Sequence, residues 1–166
     1  MRHSFSVLLC LGHAACGAAP GTAVLDPSAW TEDLAADPLP GHRQTDAPCL
    51  ALGVEQELGG IEIETGECPY AVMSQPVLTD VRAGRAISVL AWHNDLIAAE
   101  PGTGHLLVTV GGQTLLDWTP DIPSDANVID ETIVLEQDLS AGDIAVLHLH
   151  NHGANTWNLN AVEVAD

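Results

Sequence analysis

The sequence contains no lysine and only four arginines against 23 aspartates and glutamates, which gives a formal net charge of −19 for 166 residues. A surface this acidic repels phosphate backbones and anionic lipid headgroups, which argues against nucleic-acid binding and against peripheral membrane binding. Cations are the natural partners of such a chain. Alternatively, the acidity serves solubility alone, for example in salty surroundings.

Aromatic residues are scarce as well, at 4% of the chain, although 46% of the residues are hydrophobic. Valine, leucine, isoleucine and alanine must therefore fill the core. The length is enough for one domain with a sizeable core and additional segments. After the N-terminal region no apolar run approaches the roughly 20 residues of a membrane span.

Catalytic signatures are also missing. The sequence has no Gly-x-Ser-x-Gly motif, phosphate-binding loop or dinucleotide fingerprint. Paired carboxylates for glycoside hydrolysis carry no weight in a chain with 23 acidic residues. We therefore predict a binding function and no enzymatic activity.

The N-terminus has the layout of a secretory leader. Arg2 and His3 precede the apolar run 5–11, and small residues continue to Ala19, which predicts a signal peptide over residues 1–19 and an exported protein. The segment 12–17 also resembles the bacterial lipobox, with Cys16 as the candidate for a lipid anchor. Ordinary secretion and lipid anchoring both remain open.

Residues 20–48 are rich in proline, alanine, aspartate and glycine, which predicts a flexible acidic linker ahead of a domain over residues 49–166. Trp30 is an exception to this composition. It either docks on the domain or is a chance apolar residue in the linker. Cys49 and Cys68 are the two cysteines beyond the leader and Cys16, and we expect them to form a disulfide in an exported chain. Such a loop stabilises a fold by roughly 3 kcal/mol in the chain-entropy model.

The sequence of the domain predicts a series of short strands. Gly111 and Gly112 predict a hairpin turn with positive φ, and residues 141–143 predict a second turn. No helical period or repeat is present, which predicts an all-β, antiparallel β-sandwich. The strands are expected at 71–78, 86–93, 106–110, 114–118, 129–135, 144–152 and 159–164.

The last part of the chain, from about residue 62 to 166, resembles the jelly-roll domains of carbohydrate-binding modules and galactose-binding-like domains. The resemblance rests on an Ala-Gly-Asp turn that leads into a long strand, and on a final strand with a tryptophan ahead of a Leu-Asn-Ala-Val-Glu-Val ending. The segments that carry it are 86–92, 106–113, 141–149 and 156–164.

This resemblance implies a jelly roll and, as one candidate function, carbohydrate recognition. Trp157 or Trp92 would stack on a sugar, and Asn155 or Asn158 would supply hydrogen bonds. The resembling modules also hold a structural calcium near their first and last strands. That calcium would involve Glu62, Glu64 or Asp166, since calcium prefers carboxylate oxygens.

The histidines are the most concentrated chemistry in the sequence. In the strand at 144–152, an apolar row of Ala145, Leu147 and Leu149 leaves His148, His150 and His152 on the opposite face. A row of Leu106, Val108 and Val110 likewise places His105 on the outer face. If Leu90 and Trp92 face the core, His93 joins this outer set.

Neutral imidazole is a common ligand of copper, zinc and nickel, and two histidines at i and i+2 on a strand are about 6.6–6.8 Å apart at Cα, close enough to share an ion. Three along a straight strand span about 13 Å, which is too far. We therefore predict a copper or zinc site formed by His148 and His150 with His93 or His105, and with His152 either joining or supporting it. The alternative is a hydrogen-bonded network that orients the last loop and has a purely structural or interaction role, formed by His148, His150, Asn151 and Asn155.

Overall fold

The computed structural model describes residues 19, 21–43, 49 and 53–165. Within these residues the chain forms two short 3-10 helices, Leu34–Ala36 and Pro40–His42, and twelve strands. None of the helices in the described part is long and apolar enough to cross a membrane. The strands are β1 (Thr31–Glu32), β2 (Val54–Glu57), β3 (Gly60–Glu64), β4 (Tyr70–Pro76), β5 (Ala86–His93), β6 (Gly102–Thr103), β7 (His105–Val110), β8 (Gln113–Trp118), β9 (Asp121–Ile122), β10 (Asn127–Val134), β11 (Ile144–His150) and β12 (Thr156–Val164).

The strands form two antiparallel five-stranded sheets that enclose one core. The first sheet has the order β1-β4-β11-β7-β8, and the second has the order β10-β5-β12-β3-β2. β6 and β9 form a separate two-stranded pair. The prediction of an antiparallel jelly-roll sandwich is confirmed.

Alternation along the strands separates core from surface. In β11, Ala145, Leu147 and Leu149 are at most 1% exposed and point between the sheets. Gly111 and Gly112 adopt φ values of 55° and 80° in the turn between β7 and β8, a left-handed conformation that favours glycine. This turn therefore forms where the sequence predicts it.

Residues 21–43 belong to the domain, so the prediction of a flexible linker over 20–48 is wrong for this part. Val24 and Leu25 are buried in the core, and the Val24 N–H donates to the Val162 carbonyl at 2.9 Å. The chain then crosses the outer face of the first sheet as β1 and the two 3-10 helices. We call residues 31–43 the strap. Residues 44–48 of the predicted linker lie outside the described residues.

The predicted disulfide is confirmed, since Cys49 and Cys68 are bonded with their Cα atoms 4.5 Å apart. Cys68 is fully buried beside the core. Cys16 and the predicted leader, apart from Ala19, lie outside the described residues, and so does Asp166.

Candidate metal centre

The first sheet presents histidines from two neighbouring strands on its outer face. His105 begins β7, and its register partner on β11 is His150. His148 lies two residues earlier on β11 and points to the same side. Because the inward rows of both strands are apolar, the histidines can only face outward. The sheet therefore gathers three imidazoles from strands that are about 40 residues apart in sequence.

The strap adds a fourth histidine, His42, which no sequence pattern predicts to be part of the site. His42, in the second 3-10 helix, has its ring centroid 5.4 Å from that of His105 and 5.5 Å from those of His148 and His150. His42, His105 and His148 each have a potential ligand nitrogen, and these three atoms lie within 4.8 Å of one another. We call these three residues the histidine triad.

Asp37, also on the strap, fixes the tautomer of His148. The Nδ1 atom of His148 lies 3.0 Å from Asp37 Oδ1, and the two side chains are 0% and 4% exposed. Since a carboxylate can only accept, His148 donates from Nδ1 and carries its lone pair on Nε2. Tyr70 donates its hydroxyl to the other oxygen of Asp37, and the Leu39 N–H donates to Oδ1 at 2.8 Å.

The charge states follow from these contacts. Burial alone would raise the pKa of Asp37, but the hydrogen bonds from Tyr70, Leu39 and His148 outweigh it and lower that pKa. Burial also lowers the pKa of His148, against the opposing effect of Asp37. A charged carboxylate thus faces a neutral imidazole at neutral pH.

Asp117 supports His105 in a similar way. His105 Nε2 lies 2.8 Å from Asp117 Oδ1, so the ring donates from Nε2 and its lone pair is on Nδ1. This carboxylate is 61% exposed, in contrast to the enclosed Asp37. In two of the three triad residues, His105 and His148, one ring nitrogen therefore donates to a carboxylate that orients the ring. The other ring nitrogen carries the lone pair.

The remaining ring nitrogens are the ones that a metal would need. His148 Nε2 and His42 Nδ1 are buried and have no hydrogen-bond partner among the described residues. A buried nitrogen without a partner is costly. Histidine ligands of metals commonly donate their other N–H to a carboxylate, as His148 and His105 do here.

His150 and His152 extend the cluster. Burial, followed by the nearby imidazoles of His152, His42, His148 and His105, lowers the pKa of His150 to about 4. The ring of His152 is 4.9 Å from that of His150 and lies against Gly102. Both rings border the triad, and His150 is the closer candidate for a fourth ligand because it contacts His42.

His93 is not part of this cluster, so the inclusion of this residue in the predicted set is wrong. Val89, Ala91 and His93 form the inward row of β5, whereas Leu90 and Trp92 face outward and are half-buried. The ring of His93 stacks on Trp118 at 4.6 Å and contacts Trp157 at 4.9 Å. Burial lowers its pKa, which keeps it a neutral core residue.

The residues predicted to bind a sugar are mostly inside the protein. Trp157 is 1% exposed, and its indole N–H donates to Asn151 Oδ1 at 3.1 Å. Asn155 is 3% exposed and accepts from the Ile97 N–H at 2.7 Å. Asn158 is 1% exposed and donates to Glu62. Sugar stacking on Trp157 and direct contacts from these asparagines are therefore excluded, because solvent does not reach them.

Much of the alternative network is present and structural. Asn151 Nδ2 donates to Thr65 Oγ1 at 2.8 Å, and Asn155 Nδ2 donates to the His152 carbonyl at 3.0 Å. These bonds hold the loop after β11. His148 takes no part in this network, because its Nδ1–H is committed to Asp37.

Glu62 and Glu64, predicted as calcium ligands, share the outer face of β3. Glu64 accepts from the Thr156 hydroxyl at 2.6 Å, and burial raises the pKa of Glu62. In the part of the chain that is described, only the triad brings three potential ligands close enough for one ion. Because Asp166 lies outside that part, calcium binding stays a prediction.

Sequence patterns contain little signal for the roles of His42 and Asp37. They lie 63 and 68 residues before His105 in a proline-rich stretch without periodicity. The half-buried Trp30, which packs against the core, was the one hint that this stretch docks on the domain.

No protein-family model matches the sequence, and a search of curated proteins finds no match. Solved structures that are similar include CBM35 from Paenibacillus barcinonensis, with 13% identity, a TM-score of 0.39 and coverage of 88% of this chain and 99% of that one. The C-terminal CBM6 of LamC, a marine laminarinase from Zobellia galactanivorans, matches with 17% identity, a TM-score of 0.40 and coverage of 69% and 89%. The Agl-KA catalytic domain matches with 11% identity, a TM-score of 0.40 and coverage of 63% of this chain, which spans only 21% of that domain.

Proposed function

We propose that this chain is an exported, non-enzymatic binding module that holds a transition-metal ion at His42, His105 and His148. The observation that carries the proposal is that one ring nitrogen from each of the three histidines lies within 4.8 Å of the others. In addition, His148 Nε2 and His42 Nδ1 are buried and have no hydrogen-bond partner among the described residues. The disulfide supports export, because such bonds persist in oxidising compartments.

The electrostatics favour a cation. Asp37 places a negative charge behind His148, and the net charge of −19 attracts positive ions to the whole surface. The imidazoles of His148 and His150 stay neutral because their pKa values are lowered, so their lone pairs are free of protons at neutral pH. A metal ion competes with protons for these nitrogens, and here it meets little competition.

The ligand set favours copper or zinc over hard ions. Imidazole nitrogen suits Cu(II), Zn(II) and Ni(II), with Cu(II) bound most tightly by intrinsic affinity, whereas Mg(II) and Ca(II) prefer oxygen. Ligands at about 2.0–2.1 Å from a tetrahedral ion lie roughly 3.3 Å from each other. Ring nitrogens that lie up to 4.8 Å apart therefore have to approach one another by up to about 1.5 Å when the ion binds.

Isothermal titration with Zn(II) and Cu(II) tests the proposal, in the presence of excess Mg(II) to occupy exposed carboxylates. We expect one site with a Kd below about 10 μM. His105→Ala or His148→Ala should weaken it by more than the roughly 10- to 100-fold typical of a supporting residue. Trp92→Ala, on the outer face of the opposite sheet, is the control and should change the affinity little.

Binding weaker than this, or binding that is unaffected by His148→Ala, would show that the triad does not hold the ion and would end the proposal. Circular dichroism of each variant checks that the fold is retained. The triad variants are informative only against an unchanged spectrum.

Carbohydrate binding is the second candidate function, and Trp92 is the observation that favours it. Of the two tryptophans predicted to stack on a sugar, Trp92 reaches solvent, on the outer face of the second sheet beside the exposed Val128. The part of the indole that solvent reaches is a platform for a sugar ring. This site lies on the opposite sheet from the triad, so the two functions are separable.

A glycan array with a crossed pair of variants distinguishes them. Trp92→Ala should abolish any glycan signal and leave metal affinity unchanged, and His148→Ala should do the reverse. A blank array, or a signal that survives Trp92→Ala, removes this candidate.

A further inference from the structure

The strap is attached to the first sheet mainly through polar contacts. No residue from 31 to 43 is buried as a whole, and this includes all residues of the two 3-10 helices. The Asp37 side chain is the exception, at 4% exposed. Segments that bury few apolar side chains open locally at low cost.

The attachments fall into two groups. At one end, β1 pairs with β4 through two residues, the Asp33 N–H donates to the Val72 carbonyl at 2.8 Å, and the Ser74 hydroxyl donates to Asp33 at 2.9 Å. At the other end, contacts converge on the histidine cluster through Asp37 and His42. The second end therefore depends on a few side chains around the triad.

The triad joins two parts of the molecule. His105 and His148 lie on adjacent, fully paired strands of one sheet, whereas His42 lies on the strap. An ion bound to the two sheet histidines gains its third protein ligand only when the strap is closed. The contraction that coordination requires would draw His42 toward the sheet.

We infer that the strap is a metal-operated clasp: an ion at the triad locks residues 31–43 onto the first sheet, and loss of the ion releases them. This inference rests on the proposed metal binding and adds what the binding controls. The face beneath includes Val72 and His148, which are fully buried where the strap crosses. Release would expose an apolar and imidazole-lined surface that the closed form hides.

The size of the effect follows from mass action. An ion that binds the closed form more tightly than the open form raises the ratio of closed to open strap. For an ion that binds the closed form alone and is present at 100 times its Kd, this ratio rises by about 100-fold. Two histidines retain some affinity in the open form. We therefore expect at least about a tenfold shift.

Hydrogen exchange of the full chain, with and without Zn(II), measures this ratio directly. The amides of Asp33, Ala36, Leu39 and His42 are hydrogen-bonded within the strap or to the sheet, so their exchange reports opening. We expect Zn(II) to slow them at least about tenfold, and amides in the core strand β12 to respond less. His42→Ala should bind Zn(II) more weakly and lose the slowing, while Thr31→Ala, which removes a strap hydrogen bond away from the triad, should keep it.

Trypsin gives a second measurement that does not depend on amide protection. Because the sequence has no lysine, trypsin can cleave it only after arginine. One of the four arginines, Arg43, is in the strap. Zn(II) should slow cleavage after Arg43 relative to cleavage after the exposed Arg82, which serves as the internal standard. His42→Ala should remove this difference.

The outcomes separate the two proposals. Zn(II) binding by calorimetry together with unchanged strap exchange, or with slowing that persists in His42→Ala, overturns the clasp and leaves metal binding intact. An absence of Zn(II) binding overturns both. Binding with slowing that His42→Ala abolishes supports both.

Discussion

The two carboxylates that support the triad differ in how much solvent reaches them. Asp37 is enclosed between His148 and Tyr70, whereas Asp117 is 61% exposed beside His105. A buried charge-assisted hydrogen bond is stronger than one screened by water. Although the two pairs have similar geometry, Asp37 should therefore contribute far more to metal affinity.

The isosteric variants Asp37→Asn and Asp117→Asn test this difference. We expect Asp37→Asn to weaken Zn(II) binding by about 10- to 100-fold, because the neutral amide neither fixes the tautomer of His148 nor raises the basicity of its ring. Asp117→Asn should cost less than about tenfold. Equal losses in the two titrations would contradict the role given to burial.

The lowered pKa of His150 predicts how the stability of the metal-free protein changes with pH. This pKa is about 4 in the folded chain against an ordinary value of 6.5, so between these values the unfolded chain binds the extra proton. The free energy of unfolding must then fall as the pH falls through this window, and His148 acts in the same direction. The lowered pKa of Asp37 adds stability that is lost only below its ordinary value of 3.8.

Urea unfolding in the presence of a chelator, from pH 7.5 down to about pH 4.5, measures this dependence. His150→Gln cannot take up the proton and should show a flatter profile. The comparison between the two proteins is the informative quantity, since the falling net charge of an acidic chain changes stability in both. Parallel profiles would mean that His150 titrates normally.

Part of the cluster can be predicted from single residues and part cannot. In β7 and β11 the inward rows consist of large apolar side chains such as Leu106 and Leu147, so the outward direction of His105 and His148 follows from parity. In β5 both rows are apolar, and size points to Leu90 and Trp92 as core residues. The core instead takes the row of Val89, Ala91 and His93, because the two indoles next to His93 fill the space.

Among the secondary-structure elements, the N-terminal segment matters most for the site. The composition of residues 20–48 predicts a linker, yet Val24 and Leu25 complete the core and the strap supplies Asp37 and His42. The bond between Asp37 and His148 joins residues 111 apart in sequence. No local pattern encodes a contact of that range, whereas the strands and the turn at Gly111 have local signals.

A matched pair of leucine variants measures how much the N-terminal segment contributes to the stability of the domain. Leu25 is 5% exposed, so Leu25→Ala should destabilise the domain by about 2–4 kcal/mol through lost contacts and a cavity. Leu58 is 75% exposed, and Leu58→Ala should stay within about 0.5 kcal/mol of the original. Chemical denaturation gives both values. A small effect of Leu25→Ala would mean that this segment is a linker and not part of the core.

For the complete domain, metal binding should appear as thermal stability. An ion at about 100 times its Kd adds about 2.7 kcal/mol to a fold that alone can bind it, which raises the Tm of a domain of this size by about 5–10 °C. Differential scanning calorimetry with Zn(II) and with Mg(II) measures the shift. Zn(II) should produce it in the original chain and lose most of it in His148→Ala, and an equal shift with Mg(II) would indicate binding to carboxylates.

The position of His42 has a practical consequence for anyone who shortens this protein. A chain trimmed to begin at Cys49, where the sequence suggests the domain starts, would keep β2 to β12 and the disulfide but discard Asp37, His42 and two core side chains. Such a fragment would lack the third ligand of the triad and the carboxylate that orients His148, so a negative metal assay on it would say nothing about the intact molecule.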